Sequence, residues 1–284
     1  MGQKSIQMRK IFNISLLFSL VLLFACTERI DLELENGDTK LVVEAFLTDQ
    51  PDGRIVHITK TAAYYASGQT PAVEGAVVSL VSEDDQWSLT EVAPGEYSLP
   101  DNFSAIAGVK YRLNIQLKDP IGGYTDYTAV TKVPQPISVD SVKLEYDPDA
   151  FKGSYKFMWY MQDSPDSNNY LIKAYRNGKP LTDSLSTWSA FEDRFFNGKY
   201  TNGLVVMWLF ERQGIKINKG DTLRVETGAI TKGFTEYVGF MQQQLAPQNP
   251  LFSPPPANVT GNISHGALGY FVIYPVVSNF TIYQ

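Results

Sequence analysis

The sequence holds one cysteine, Cys26, and two histidines, His57 and His265, among 284 residues. A single cysteine excludes an intramolecular disulfide. Two histidines more than two hundred positions apart, with no second cysteine, do not make any of the common zinc patterns. Gly-rich phosphate loops and dinucleotide fingerprints are missing as well, so no cofactor is expected. Ser264 and His265 are neighbours in sequence, which does not make a triad, and no third member is indicated. Basic residues are scarce, with 24 Lys plus Arg against 30 Asp plus Glu. That balance argues against nucleic acid as a partner. Beyond residue 24 no apolar run is long enough to cross a bilayer, and long Ala/Leu/Glu/Lys helical patterns are lacking.

What the chain has in abundance is aromatic residues (16 Tyr, 16 Phe, 4 Trp) together with 21 Gly and 16 Pro. Aromatic strands separated by Gly/Pro turns are an all-β composition.

The front of the chain is a leader. Lys4, Arg9 and Lys10 form a positive segment, and residues 11–24 form an apolar one of about fourteen residues. That is too short for a spanning helix, which needs about twenty, and suits a secretory signal. Either Met1 or Met8 can serve as its start. The run ends in Leu23-Phe24-Ala25-Cys26, and Leu-x-Ala-Cys resembles the lipobox of bacterial lipoproteins. The resemblance implies cleavage before Cys26 and attachment of lipid to its sulfur. Removal of residues 1–25 lowers Lys plus Arg from 24 to 21 and brings the charge to about −9. Residues 26–39 then read as an acidic tether carrying Glu28, Asp31, Glu33, Glu35 and Asp38. Acids soon after the lipid cysteine resemble the signal that places Bacteroidota lipoproteins on the outer face of the outer membrane.

The body reads as two β-sandwich domains, residues 40–133 and 137–284, joined at Val133-Pro134-Gln135-Pro136. Two prolines in four residues interrupt strand pairing, so residues 134–136 are the linker. Residues 40–48 and 54–61 are the first strands. In the second of these, Ile55, His57 and Thr59 alternate with Val56, Ile58 and Lys60. His57 is expected to be a packed or edge residue. Between residues 73 and 133 the order Gly-Ala-x-Val, Pro-Gly-x-Tyr-x-Leu, Gly-x-x-Tyr-x-Leu resembles the carboxypeptidase-regulatory-like, transthyretin-type sandwich. Gly122-Gly123 and Asn177-Gly178 mark hairpin turns. The second domain resembles an immunoglobulin- or fibronectin-like sandwich, with a polar stretch at 182–201 anchored by Phe191, Phe195 and Phe196. One amphipathic helix is expected over 234–245. Phe234, Tyr237, Val238, Met241 and Leu245 form its apolar stripe, which should dock on the domain's own sheet, and Pro247 ends it.

The Gly-rich tail, Pro256-Ala257-Asn258-Val259-Thr260-Gly261-Asn262-Ile263 with Gly266-Ala267-Leu268-Gly269-Tyr270-Phe271, is the most distinctive stretch after Cys26. It resembles the ending of a Bacteroidota lipoprotein family, domain of unknown function 4249. The likeness extends to Ile30-Asp31-Leu32, Leu41-Val42-Val43-Glu44 and Val73-Glu74-Gly75-Ala76. That family often has Gly where His265 stands. The resemblance implies a non-enzymatic lipoprotein of the outer membrane, facing the cell surface or the periplasm. It further implies an accessory module beside a TonB-dependent receptor that helps capture a nutrient; a stand-alone adhesin or envelope scaffold is the alternative. It supplies no catalytic residues. Asn258, Gly261, Asn262, Gly266, Gly269, Tyr270 and Phe271 are expected to serve turns, bulges and close backbone approach.

Other signals are short. Asp140-Ser141-Val142, Asp183-Ser184-Leu185 and Asp221-Thr222-Leu223 resemble the Bacteroidota O-glycosylation acceptor, which makes Ser141, Ser184 and Thr222 candidate sites. Acids are paired at Asp147-x-Asp149, Asp163-x-x-Asp166 and Glu192-Asp193. Sequence does not give their separation in space.

Overall fold

The computed structural model describes residues 39–51, 53–62, 70–246 and 259–284. The leader, Cys26, the tether acids, Pro247 and Asn258 lie outside the described residues.

The strands of the first half are β1 (Leu41–Thr48), β2 (Ile55–Lys60), β3 (Val77–Val81), β4 (Gln86–Ser88), β5 (Thr90–Ala93), β6 (Glu96–Ser98), β7 (Lys110–Ile121) and β8 (Tyr124–Lys132). Those that follow are β9 (Ser141–Asp147), β10 (Ser154–Tyr160), β11 (Asn169–Arg176), β12 (Lys179–Pro180), β13 (Ser189–Glu192), β14 (Leu204–Phe210) and β15 (Thr222–Ala229). Helix α1 (Lys232–Leu245) precedes the closing strands β16 (Leu268–Tyr274) and β17 (Val276–Ile282). The protein is all-β with this one helix, and its sheets pair into two sandwiches.

The first sandwich stacks the sheet β16-β1-β2-β6-β5 on the sheet β4-β3-β7-β8. Alternation builds its core: Leu41, Val43, Ala45 and Leu47 of β1 are fully buried, as are Val56 and Ile58 of β2. They meet Leu80, Tyr111, Leu113 and Tyr127 from the other sheet. His57 falls on the opposite face of β2, exposed, with Nδ1 3.8 Å from Glu96 Oε1.

The second sandwich stacks β14-β10-β9 on β12-β11-β15-β17, with β13 also paired to β11. Trp159 and Tyr170 sit at its centre, ring centroids 5.1 Å apart in an edge-to-face arrangement that suits aromatic quadrupoles. Asn177 and Gly178, both at positive φ (50° and 79°), turn β11 into β12. Phe191 and Phe196 pack against this core, but Phe195 is 87% exposed and anchors nothing, contrary to expectation. The turn fixed by Asp193 rotates it outward: the Asp193 carbonyl accepts hydrogen bonds from the Phe196 and Asn197 N–H groups.

Strand β16 links the two bodies. It runs parallel to β1 at the edge of the first sandwich, after more than two hundred intervening residues. Phe271 and Ile273 enter the first core, while Tyr270, Val272 and Tyr274 face α1. Burial on both faces explains its unbroken apolar run, Tyr-Phe-Val-Ile-Tyr. Only Pro275 separates β16 from β17, which pairs with β15 in the second sandwich.

Helix α1 begins at Thr231, whose side chain accepts the Phe234 N–H. Phe234, Tyr237 and Val238 are buried against β16 and Leu171 of β11, so the helix covers strands of both sandwiches. Full burial of a phenylalanine such as Phe234 stabilises by about 1.5–3 kcal/mol. The docking fades along the helix: Met241 is half-buried and Leu245 is 56% exposed.

Candidate functional site

A cleft of about 650 Å³ opens where the linker between the sandwiches meets the β10–β11 loop and the start of α1. One wall is residues 132–138, another is the loop through Met161, Gln162, Ser164 and Asp166–Asn169, and the third is residues 229–232. Uncharged amides and hydroxyls (Gln135, Ser138, Gln162, Ser164, Ser167, Asn168, Asn169 and Thr231) share the lining with apolar side chains such as Val133, Ile137, Met161 and Ile230. Lys132, Lys232 and Asp166 supply the only charges of the lining. Asn169 is 9% exposed, and its buried Oδ1 has no hydrogen-bond partner.

Two buried carboxylates hold the loop wall in place. Asp163 and Asp193 are each 1% exposed. Asp163 accepts the Tyr170 hydroxyl at one oxygen and the Gly198 N–H, at 3.0 Å, at the other. Asp193 accepts the Asn168 N–H at 2.6 Å, and its own N–H donates to the Asn168 carbonyl. The loop at 163–168 is thus stapled to the turn at 193–199. Burial raises the Asp193 carboxyl above the usual carboxylate range, and the Asp163 charge adds to the rise. Burial and the Asp163 hydrogen bond push the Tyr170 phenol up in the same way. Sequence pairs Asp163 with Asp166 and Glu192 with Asp193, whereas folding brings Asp163 and Asp193 together.

Residues of the Gly-rich tail clamp the open edge of the first sandwich. The Asn262 side chain copies a strand residue: its Oδ1 accepts the Phe271 N–H at 2.8 Å, and its Nδ2 donates to the Phe271 carbonyl at 2.7 Å. The same Nδ2 reaches the Val130 carbonyl of β8 at 3.3 Å. Gly261 lies against the Gly269 carbonyl, where an added Cβ would stand 1.7 Å from the oxygen. Gly269, at φ +93°, lies as closely on the Val43 carbonyl of β1, 2.0 Å from where its Cβ would be. Tyr270 and Phe271 then point to opposite faces of β16.

Ser264 and His265 are engaged in the same clamp. The Ser264 Oγ accepts the Thr128 N–H at 2.9 Å. The His265 ring stacks on Tyr124 at 3.9 Å, and its backbone takes φ 58°, a conformation that favours glycine. Gly266 follows at φ +68°. Ser141 on β9, Ser184 in the connection between β12 and β13, and Thr222 on β15 are all exposed. Among the described residues no group of three or more His, Cys, Asp or Glu is arranged to hold a metal ion. No helix among them is long and apolar enough to cross a membrane. The cleft residues Gln135, Ser138, Gln162, Ser164, Asn168 and Asn169 carry no motif; the one local signal is the acid pair Asp163-x-x-Asp166 beside them.

Two antiparallel sandwiches, locked by a shared helix and a returning parallel strand, with a cleft of mixed polar and apolar lining at their seam, define a double β-sandwich protein. A family model described as "Domain of unknown function (DUF4249)" matches residues 27–279, and the chain belongs to that family. No curated protein matches the sequence. Among solved structures, a chain of a "Cytokine receptor complex - Crystal form 1A" aligns over 84% of this chain and 94% of its own, at 10% identity and a TM-score of 0.22. A score that low carries no argument.

Proposed function

We propose that this protein is a non-enzymatic lipoprotein of the Bacteroidota outer membrane that serves as the binding or accessory module of a TonB-dependent nutrient-uptake system. The observation that carries the binding role is the seam cleft. Its size is that of a small-molecule site, and clefts between domains are the usual place for one. Its amides and hydroxyls, set among Val133, Ile137, Met161 and Ile230, suit a neutral ligand that pairs hydrogen-bonding groups with an apolar face. The anchor rests on the leader and on Leu23-Phe24-Ala25-Cys26. The receptor partner rests on the resemblance of the Gly-rich tail.

The affinity-tagged full chain, purified from detergent-solubilised outer membranes, is expected to bring a TonB-dependent receptor with it. Recovery alone overturns the accessory role and leaves the stand-alone adhesin or scaffold. Ser138→Trp fills the cleft from an exposed position and should leave receptor recovery intact while removing nutrient-dependent growth. Unchanged growth would separate the cleft from function. Mass spectrometry of the N-terminal peptide should show acylated Cys26.

A further inference from the structure

A second cavity, of about 630 Å³, shares no lining residue with the seam cleft. It lies on the outer face of β1 and β2, where Phe46 and Ile55 meet Trp188 and the last turns of α1 at Met241 and Leu245. The Phe46 and Trp188 rings pack edge to face at 5.9 Å. Gln242 of α1 fixes the Trp188 wall, its Nε2 donating to the Leu185 and Trp188 carbonyls at 2.9 and 2.7 Å. Two opposite charges line this apolar surface, Lys173 and Glu44. Lys173 Nζ lies 4.1 Å from the Trp188 ring centroid and donates to the Tyr274 hydroxyl at 3.1 Å. Its cross-strand neighbour Glu226 is taken by Arg224 at 2.6 Å. Glu44 stands beside His57, which faces Glu96 instead. Neither Lys173 nor Glu44 has an ion-pair partner among the described residues. Glu44 pairs in register with Tyr270, whereas Tyr274, which holds Lys173, pairs with Thr48. The two charges are thus held from backbone rows four residues, about 13 Å, apart along the strand.

We propose that this cavity binds a short zwitterionic peptide with apolar side chains, its carboxylate on Lys173, its ammonium on Glu44 and its side chains on Phe46 and Trp188. The two charges select the occupant. A peptide of two or three residues extends about 7–11 Å, and with a charge-assisted contact of about 2.8 Å at each end it spans the interval between them. A fatty acid would answer Lys173 and leave Glu44 against an apolar chain, and an apolar amine would do the reverse. Asp183, also in the lining, is exposed at the rim, where solvent screens it. Residues 247–258, which follow α1 in the chain, carry no charge and answer neither group. This inference is independent of the seam cleft and of the receptor.

The test is isothermal titration calorimetry of the full chain with the free tripeptide Leu-Phe-Leu, which should bind saturably. Its N-acetylated and C-amidated copies keep every side chain and lose one charge each, and should each bind at least about tenfold more weakly. Lys173→Gln should bind the free acid and the amide equally. Glu44→Gln should bind the free amine and the acetylated copy equally, both variants with unchanged far-UV circular dichroism. Glu44 is exposed, so its replacement leaves the fold intact. Ser138→Trp should leave the titration unchanged; loss of binding there would place the peptide in the seam cleft and overturn the proposal. No saturation by about 1 mM, equal binding of the capped copies, or full discrimination retained by either charge variant would equally overturn it. So would binding that appears only when residues 247–258 are replaced by a Gly-Ser linker, because the chain itself would then be the occupant.

Discussion

Replacing Asn262 by alanine removes an amide that the main chain of Phe271 uses as a strand partner. Phe271 is fully buried, and its N–H and C=O are both held by this one side chain, at 2.8 and 2.7 Å. Each buried main-chain group left without a partner costs about 1–3 kcal/mol. Asn262 itself is only half-buried, so solvent reaches part of the vacated space, and the sum falls to about 2–4 kcal/mol. The contact to Val130 at 3.3 Å adds little. Asn262→Asp is the sharper probe. Its carboxylate still accepts the Phe271 N–H but faces the Phe271 and Val130 carbonyls with no proton to offer. Those oxygens raise the new group's pKa in the fold above the unfolded value. Its penalty is therefore present near neutral pH and shrinks as pH falls toward 4, where the protonated acid can donate to one carbonyl. Equilibrium urea unfolding of the chain carrying Cys26→Ser, followed by tryptophan fluorescence and circular dichroism, measures both variants. An Asn262→Ala midpoint within about 0.5 kcal/mol of wild type at unchanged slope would refute the reasoning. So would a pH-independent penalty for Asn262→Asp.

Gly269→Ala combines φ +93° with a Cβ 2.0 Å from the Val43 carbonyl, and should displace β16 from β1, with loss of soluble folded protein on expression. Gly123→Ala, where the added Cβ meets nothing, isolates the cost of positive φ alone and should retain the fold at a penalty of about 1–2 kcal/mol in urea unfolding. Phe234→Ala empties the centre of the helix–sheet contact against Phe46, Tyr270 and Tyr274, and should lower stability by about 3–5 kcal/mol. Asp193→Asn keeps an acceptor for the Asn168 N–H and removes the charge. The folded pKa of Asp193 lies above the ordinary aspartate value of 3.8, so the native state binds the extra proton and the wild type loses stability as pH rises through that window. The variant should gain on the wild type from pH 4 upward and then level off; a gain that grows on acidification would contradict the assignment.

Much of the local structure was legible in the sequence because burial leaves a period. The two-residue alternation in β2 put Val56 and Ile58 on one face, the one the fold buries, the three- and four-residue stripe located α1, and Asn177-Gly178 announced its hairpin. The cleft was not legible, since its walls are polar loops whose side chains follow no period. The O-glycosylation patterns show the reverse case: the residues are visible in sequence, and the fold adds only that Ser141, Ser184 and Thr222 are exposed.

The sequence by itself determined the β-rich modules and their one amphipathic helix, because composition, periodicity and turn residues act over a few positions. The tertiary structure decided which distant pieces meet. It set β16 beside β1, where Gly269 allows the backbones to close and Asn262 seals the edge. It brought Asp163 against Asp193 behind the cleft wall, turned Phe195 outward and put β14 at the edge of its sheet. Each of these depends on the packing of faces supplied by residues far apart in the chain, which no local pattern encodes.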